Sequence, residues 1–178
     1  MYSYDTRVKY SEIDENGRMK PLALLNLLQD CCTFQSEDVG NGISSLKAMH
    51  RAWILNSWQI VIKKHAALGD EILVTTRPYK FSGFWGMRCF EITNSEGEVL
   101  AIANSVWVYL NTDTGTPAKI DEEVKNMYGL DALIDYEWAG RKIDLPEKFE
   151  EGEPIPVIPS YIDTNHHVNN AWYVELAS

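Results

Sequence analysis

Residues 21–40 read PLALLNLLQDCCTFQSEDVG. Leu24, Leu25, Leu28, Cys31, Cys32 and Gln35 recur at i, i+3, i+4 intervals, which is one face of a helix. Pro21 suits the first helical turn, where its missing N–H is not needed, and Gly40 suits the C-terminal cap. Leu22 and Leu27 fall outside that stripe, so the helix is apolar on most of its sides. A helix of that kind is covered on most of its sides. The rest of the chain has to supply the cover.

Outward from the helix the pattern turns to strands. Upstream, residues 5–13 alternate loosely and predict a first strand, followed by the turn DENGR at 14–18. Downstream come AWILNSWQIVIKK (52–64), EILVTTRPYKFSG (71–83), FWGMRCFEITN (84–94) and VLAIANSVWVYLN (99–111). All four are rich in the β-branched and aromatic residues that fit a pleated surface. Their connections, such as HAALGD and Ser95-Glu96-Gly97, are short, and the simplest wiring is three adjacent hairpins. Pro78 and Gly83 mark an edge, a bulge or a bend. The sum is an α+β architecture, an antiparallel sheet curled around one helix.

The chain has 178 residues, 45% hydrophobic and 24% charged, which makes one globular domain or two small ones. Six Trp, nine Tyr and five Phe exclude a disordered chain. No run approaches the roughly 18 uninterrupted apolar residues of a membrane span. The N-terminal MYSYDTRVKYSE lacks an apolar signal core, so the expected location is cytoplasmic. Three Cys, two of them adjacent at Cys31 and Cys32, show no metal-ligand spacing and read as buried reduced thiols. Residues 1–111 hold 12 acids and 11 bases, whereas 112–178 hold 14 acids and 5 bases. A phosphate backbone would be repelled by the second part and not attracted by the first, which excludes nucleic acid as a partner.

Within 112–155, TDTGTPAKIDEEVKNMYG predicts a turn and a short helix, and IDYEWAGRKIDLPEKFEEGEPIP is acidic and weakly periodic. This stretch reads as a linker lying over the first unit, residues 1–111.

The chain also repeats itself. YSEIDENGRMKPLALLNLL (10–28) and PSYIDTNHHVNNAWYVELA (159–177) align on Ile-Asp-x-Asn at an offset of 149 residues. Ile13 matches Ile162, Asp14 matches Asp163, Asn16 matches Asn165, and Arg18 falls opposite His167. The second copy therefore offers a carboxylate, an amide and an imidazole within five residues, at a strand–helix junction. His167 can serve as general base on a water, because an imidazole titrates near neutral pH. Asp163 can orient it, Asn165 can position water or substrate, and N–H groups at the following helix start can receive an oxyanion. The same residues also fit a plain Asx-turn with a helix cap from Asp163, Asn165 or Asn169. Both readings stay open on the motif alone.

With these segments in view, the sequence resembles the acyl-acyl carrier protein thioesterases of bacteria and plant plastids. The resemblance rests on YIDTNHHVNNAWYVELA, on YSEIDENGRMKPLALLNLLQD, on WILNSWQIVIKKHAALGDEILVTT and on YKFSGFWGMRCFEI, all in family order. It implies a tandem double hot dog, in which two copies of a sheet each wrap a central helix. Here 1–111 would be the first hot dog, 112–155 the linker, and 156–178 the start of a second. It implies hydrolysis of fatty acyl thioesters on acyl carrier protein to free fatty acid, with no metal or organic cofactor. The catalytic Asp, Asn and His map onto Asp163, Asn165 and His167. The acyl chain is expected in the first hot dog, which makes Leu25, Leu28, Trp53, Trp58 and Trp85 substrate-binding candidates. Lys63, Lys64, Lys80 and Arg88 are the bases that would meet an acidic carrier protein.

The chain departs from that pattern in ending at Ser178, 11 residues after His167. The family uses a further acid or Cys beyond that point. The expectation is a fragment of reduced hydrolytic activity, whose helix start at Trp172, Val174 and Leu176 frays, docks on the first unit or pairs with a second chain as a homodimer. The competing function is a non-catalytic acyl-binding hot-dog module.

Overall fold

The computed structural model describes residues 1–140, 142–163 and 166–177. Five long strands form one antiparallel sheet: β1 (Tyr2–Arg7), β2 (Arg51–Ile62), β3 (Glu71–Ser82), β4 (Trp85–Asn94) and β5 (Val99–Asn111). Their order is β1-β3-β4-β5-β2, and the short β6 (Thr116–Pro117) adds to the end of β5. The helix α1 (Pro21–Asp38) lies across the concave side. Its buried residues are the stripe read from the sequence together with Ala23 and Leu27. Ala23, Leu24, Leu27, Leu28, Cys31 and Cys32 pack with Val74, Phe90, Ile92, Ala101 and Ala103 of the three central strands. This is the hot-dog arrangement.

The wiring corrects one expectation. β2 and β3 are not a hairpin; they stand at and near opposite edges of the sheet, and β2 pairs with β5. Residues 63–70 carry the chain across beneath the start of α1. Lys63 and Lys64 donate their N–H groups to the Leu100 carbonyl (2.8 and 3.0 Å), Met19 donates to the carbonyl of the buried Ala66 (2.8 Å), and Gly69 donates to Val8 (3.0 Å). Those bonds satisfy a connection that would otherwise leave backbone groups unpaired over the core. The first strand is also shorter than 5–13. It ends at Arg7 because Tyr10–Glu12 closes a 3-10 turn, with the Lys9 N–H donating to the Glu12 carboxylate at 2.8 Å. Pro78 sits in a register shift of β3, just past the last pair with β1, where no partner needs its missing N–H. Gly83 makes the turn into β4.

Past β5, the helix α3 (Glu122–Tyr128) buries Val124 and Tyr128 in a second apolar cluster with Tyr109 and Ile120. Residues 131–139 then cross the face of the sheet away from α1. Asp131 donates its N–H to the Pro78 carbonyl on β3 (2.8 Å), Cys89 Sγ on β4 lies 3.8 Å from the Ala132 carbonyl, and the Ala139 N–H reaches Gln59 Oε1 on β2 (2.9 Å). The described residues from 142 to 160 are exposed throughout. The chain ends on α4 (Asn170–Leu176), which packs against α1 through the buried Ala171, while Trp172 stacks on Tyr161 at 4.5 Å. Between α1 and β2 lies the short helix α2 (Ile43–Ala48).

Candidate active site

The loop before α4 is built by backbone bonds around Asp163. The Asp163 N–H donates to the His167 carbonyl (2.8 Å), His166 donates to the Asp163 carbonyl (3.1 Å), and Asn169 donates to Tyr161 (2.8 Å). The Asp163 carboxylate accepts the His167 N–H at 3.2 Å, and Ile162 bridges Val168. Asn169 caps α4, its side chain accepting the Ala171 N–H at 2.9 Å. His166 and His167 are exposed and Asp163 is half-buried. Asn165 lies outside the described residues.

The loop before α1 is the same object. Asp14 N–H donates to the Arg18 carbonyl (2.8 Å), Gly17 to Asp14 (3.0 Å) and Lys20 to Glu12 (2.9 Å), and Ile13 bridges Met19. The Asp14 carboxylate accepts the N–H groups of Asn16 (2.8 Å) and Arg18 (2.9 Å), and these bonds, the Arg18 N–H first, hold its pKa below the usual carboxylate value. Even the start of α1 at Pro21 and that of α4 at Asn170 keep the 149-residue offset. The Asx turn and the Asn169 cap expected as one reading of the motif are therefore present in the loop before α4. Asp organises the loop in both copies, and the copies differ in what the scaffold presents. Where the first has Gly17 at φ 75° and then Arg18, the second has His166 at φ 61° and then His167.

Leu25 and Leu28 are buried residues of α1. Trp58 stacks on Phe90 (5.0 Å) and edge-on to Trp107 (6.3 Å), and Trp53 packs on Tyr109 (4.7 Å). Both tryptophans belong to the α1-facing side, and their buried indole N–H groups have no partner among the described residues. Trp85 does not join them. Residues 85–92 pair with β5 without a register shift, so Trp85 faces the side opposite Phe90, where it stacks on Phe84 at 4.9 Å.

Arg88 is not a surface base. It is only 9% exposed and points from the central strand toward α1, so grouping it with Lys63 and Lys80 is corrected by the fold. The signal was present: Gly86, Arg88, Phe90 and Ile92 alternate on one face, and Phe90 and Ile92 can only face inward. Lys64 is already paired with Glu98 at 2.6 Å. Among the described residues no group of three or more His, Cys, Asp or Glu could hold a metal ion, and no helix is long and apolar enough to cross a membrane.

The family described as the acyl-ACP thioesterase N-terminal domain matches residues 1–128. The chain belongs to the acyl-ACP thioesterase family. It is 32% identical to the chloroplastic acyl-acyl-carrier-protein hydrolase FATB2 of Cuphea viscosissima over 130 residues, covering 68% of this chain and 31% of that protein. It is 28% identical to the chloroplastic palmitoyl-acyl carrier protein thioesterase of Gossypium hirsutum over 189 residues, covering 98% of this chain and 45% of that one. The crystal structure of an acyl-ACP thioesterase from Bacteroides thetaiotaomicron superposes with a TM-score of 0.78 at 26% identity, covering 98% of this chain and 71% of that chain. The chain thus spans less than half the length of these two plant members of the acyl-ACP thioesterase family.

Proposed function

We propose that this protein acts on a fatty acyl thioester of acyl carrier protein, and that the whole site hydrolyses it. The observation that carries the reading is the family match over residues 1–128, the unit that wraps α1. In the reaction, water adds to the thioester carbonyl, the C–S bond breaks, and the carrier thiolate takes the proton. His167 is the general base that removes a proton from the attacking water and returns it to the leaving sulfur. Asp163 positions the loop that presents His167, and Asn165 holds the water or the carbonyl through its amide. The acyl chain lies between α1 and the sheet, along Leu25, Leu28 and Trp58, whereas Trp53 belongs to the second apolar cluster around Tyr109.

In this reading residues 1–111 form the first hot dog, 112–155 the linker and 156–178 the opening of a second. The exposed Lys63 and Lys80 meet the acidic carrier, in the cytoplasm. The test is thiol release from acyl-carrier thioesters of several chain lengths. It uses the 178-residue chain and a version continued through a full second repeat, each with and without His167→Ala. Release by the longer form, lost on His167→Ala, supports the assignment. Release that survives the substitution removes His167 from the mechanism. Silence from both forms, with fatty acid still bound, replaces hydrolysis with acyl binding.

A further inference from the structure

The α1-facing surface of the sheet changes character along its strands. In register across β3, β4 and β5, Val74, Ile92 and Ala101 form one rung, and Thr76, Phe90 and Ala103 the next. The third rung is Pro78, Arg88 and Ser105. Along α1 the inward residues run from Leu24, Leu25 and Leu28 through Cys31 and Cys32 to Gln35. Sheet and helix therefore turn from apolar to polar toward the same end. Beyond this layer the core is apolar again, around Tyr109, Ile120 and Val124.

The layer is buried and under-partnered. The Arg88 guanidinium donates a long bond to Thr76 Oγ1 (3.4 Å) and stands 5.5 Å over the Tyr128 ring. It makes no ion pair with a carboxylate among the described residues. The Tyr128 hydroxyl bonds Ser36 (2.9 Å) and accepts from Asn41 Nδ2 (3.1 Å). Gln35 and Asn41 are 3% and 0% exposed, and the side-chain oxygen of each has no partner. Buried charges and amides are ordinarily paired, and each exception has a physical reason such as bound water or a functional role. On the apolar side, by contrast, Ala101 and Ala103 are small residues set against the leucines of α1.

We infer that the layer formed by Arg88, Thr76, Gln35 and Asn41 is the end-stop of the acyl site and sets the longest acyl chain it accepts. The inference rests on the acyl reading above. A chain that stops short of the layer meets only apolar surface, and each added methylene improves affinity about fourfold. The first methylene to reach the layer sets an apolar group against the unpartnered oxygens of Gln35 and Asn41 and against the guanidinium, and gives those groups nothing in exchange. Affinity then stops rising with length.

The test is equilibrium binding of saturated fatty acids, from octanoic to octadecanoic in two-carbon steps, by displacement of dansyl-labelled undecanoic acid from the full chain. Arg88→Met is compared with wild type. Gln35→Leu reaches the layer from the helix side and keeps the question open if Arg88→Met fails to fold. The expected result is a break in the length dependence of wild type that moves at least two carbons longer in either variant, with a gain of about tenfold for the first acid past the old break. The same break in both variants overturns the end-stop and leaves the acyl reading standing. Loss of binding at every length in Arg88→Met makes Arg88 the partner of the carboxylate, which also overturns it. No binding of any acid by wild type overturns the end-stop and the acyl reading together.

Discussion

Gly86 is the position at which the packing of the second cluster can be tested most directly. It faces α1 from β4, and the six-membered ring of Trp53 lies on it. A Cβ there would stand 2.9 Å from Trp53 Cζ3, 3.1 Å from Cη2 and 3.4 Å from Phe81 Cε1. The first two contacts lie inside van der Waals separation, so the indole must withdraw. It cannot do so freely, because it is packed on Tyr109 at 4.7 Å and against Phe81 at 6.3 Å. Overpacking of this kind costs about 1–3 kcal/mol. Replacing a strand glycine by alanine returns about 0.5–1 kcal/mol of backbone entropy. Gly86→Ala is therefore expected to lose about 1–2 kcal/mol, which moves a urea midpoint down by roughly 1 M or less. Trp53→Phe removes the atoms in conflict, so the double variant should recover most of that loss, with a coupling of about 1 kcal/mol or more in the cycle. The reasoning is refuted if Gly86→Ala is as stable as wild type, or if the two losses simply add.

Leu28→Ala empties a fully buried position between α1 and the sheet and should cost about 2–5 kcal/mol, read as a fall in the thermal midpoint. Gly17→Ala meets no atom within 4 Å but forces a left-handed residue at φ 75°, so calorimetry should show a loss of about 1 kcal/mol from the backbone alone. Alkaline pH should unfold the protein: burial pushes the Cys31 thiol from 9.0 up to about 12, and raises Cys32 and Cys89 as well. Above the unfolded value the denatured chain has released these protons and the native chain has not, so stability should fall between pH 9 and about 12. The slope is about 1.4 kcal/mol per pH unit for Cys31, and a denaturant midpoint that stays flat across that window would count against it.

The helix and the strands were legible because burial leaves a periodic trace. The α1 stripe and all four later strands fall within a residue or two of their observed ends, and Pro78 and Gly83 announced a bulge and a turn. The pairing of β2 was not legible, since nothing in HAALGD distinguishes a tight reversal from a crossover. What fixes it is Ala66 and Met19 meeting beneath α1, a contact between residues 47 positions apart. For Trp85 and Arg88, residue type points to the tunnel and to the surface respectively, whereas the alternation of β4 puts each on the opposite side of the sheet. The loop at 159–169 was legible as a repeat because the same backbone geometry demands Asp at its start and a residue able to hold positive φ at its fourth position.

That repeat sharpens what Asp163 does. Asp14 accepts the corresponding N–H in a copy where Arg18 replaces the imidazole, so a side-chain oxygen at this place serves the loop whether or not any base follows it. The carboxylate oxygen that accepts the His167 N–H can be replaced by an amide oxygen, but not by a methyl group. Asp163→Ala should release the His167 backbone and lower thiol release by about a hundredfold in a chain carrying the whole site, the scale expected when a catalytic group is misplaced by an ångström. Asp163→Asn should keep the bond and most of the rate. Asp14→Ala and Asp14→Asn supply the control on stability, since they disturb the same turn where no imidazole follows. If Asp163→Asn proves as inactive as Asp163→Ala while its fold is intact, the negative charge itself is needed beside His167. The carboxylate would then stabilise the imidazolium formed as water is deprotonated, a task the first copy never performs.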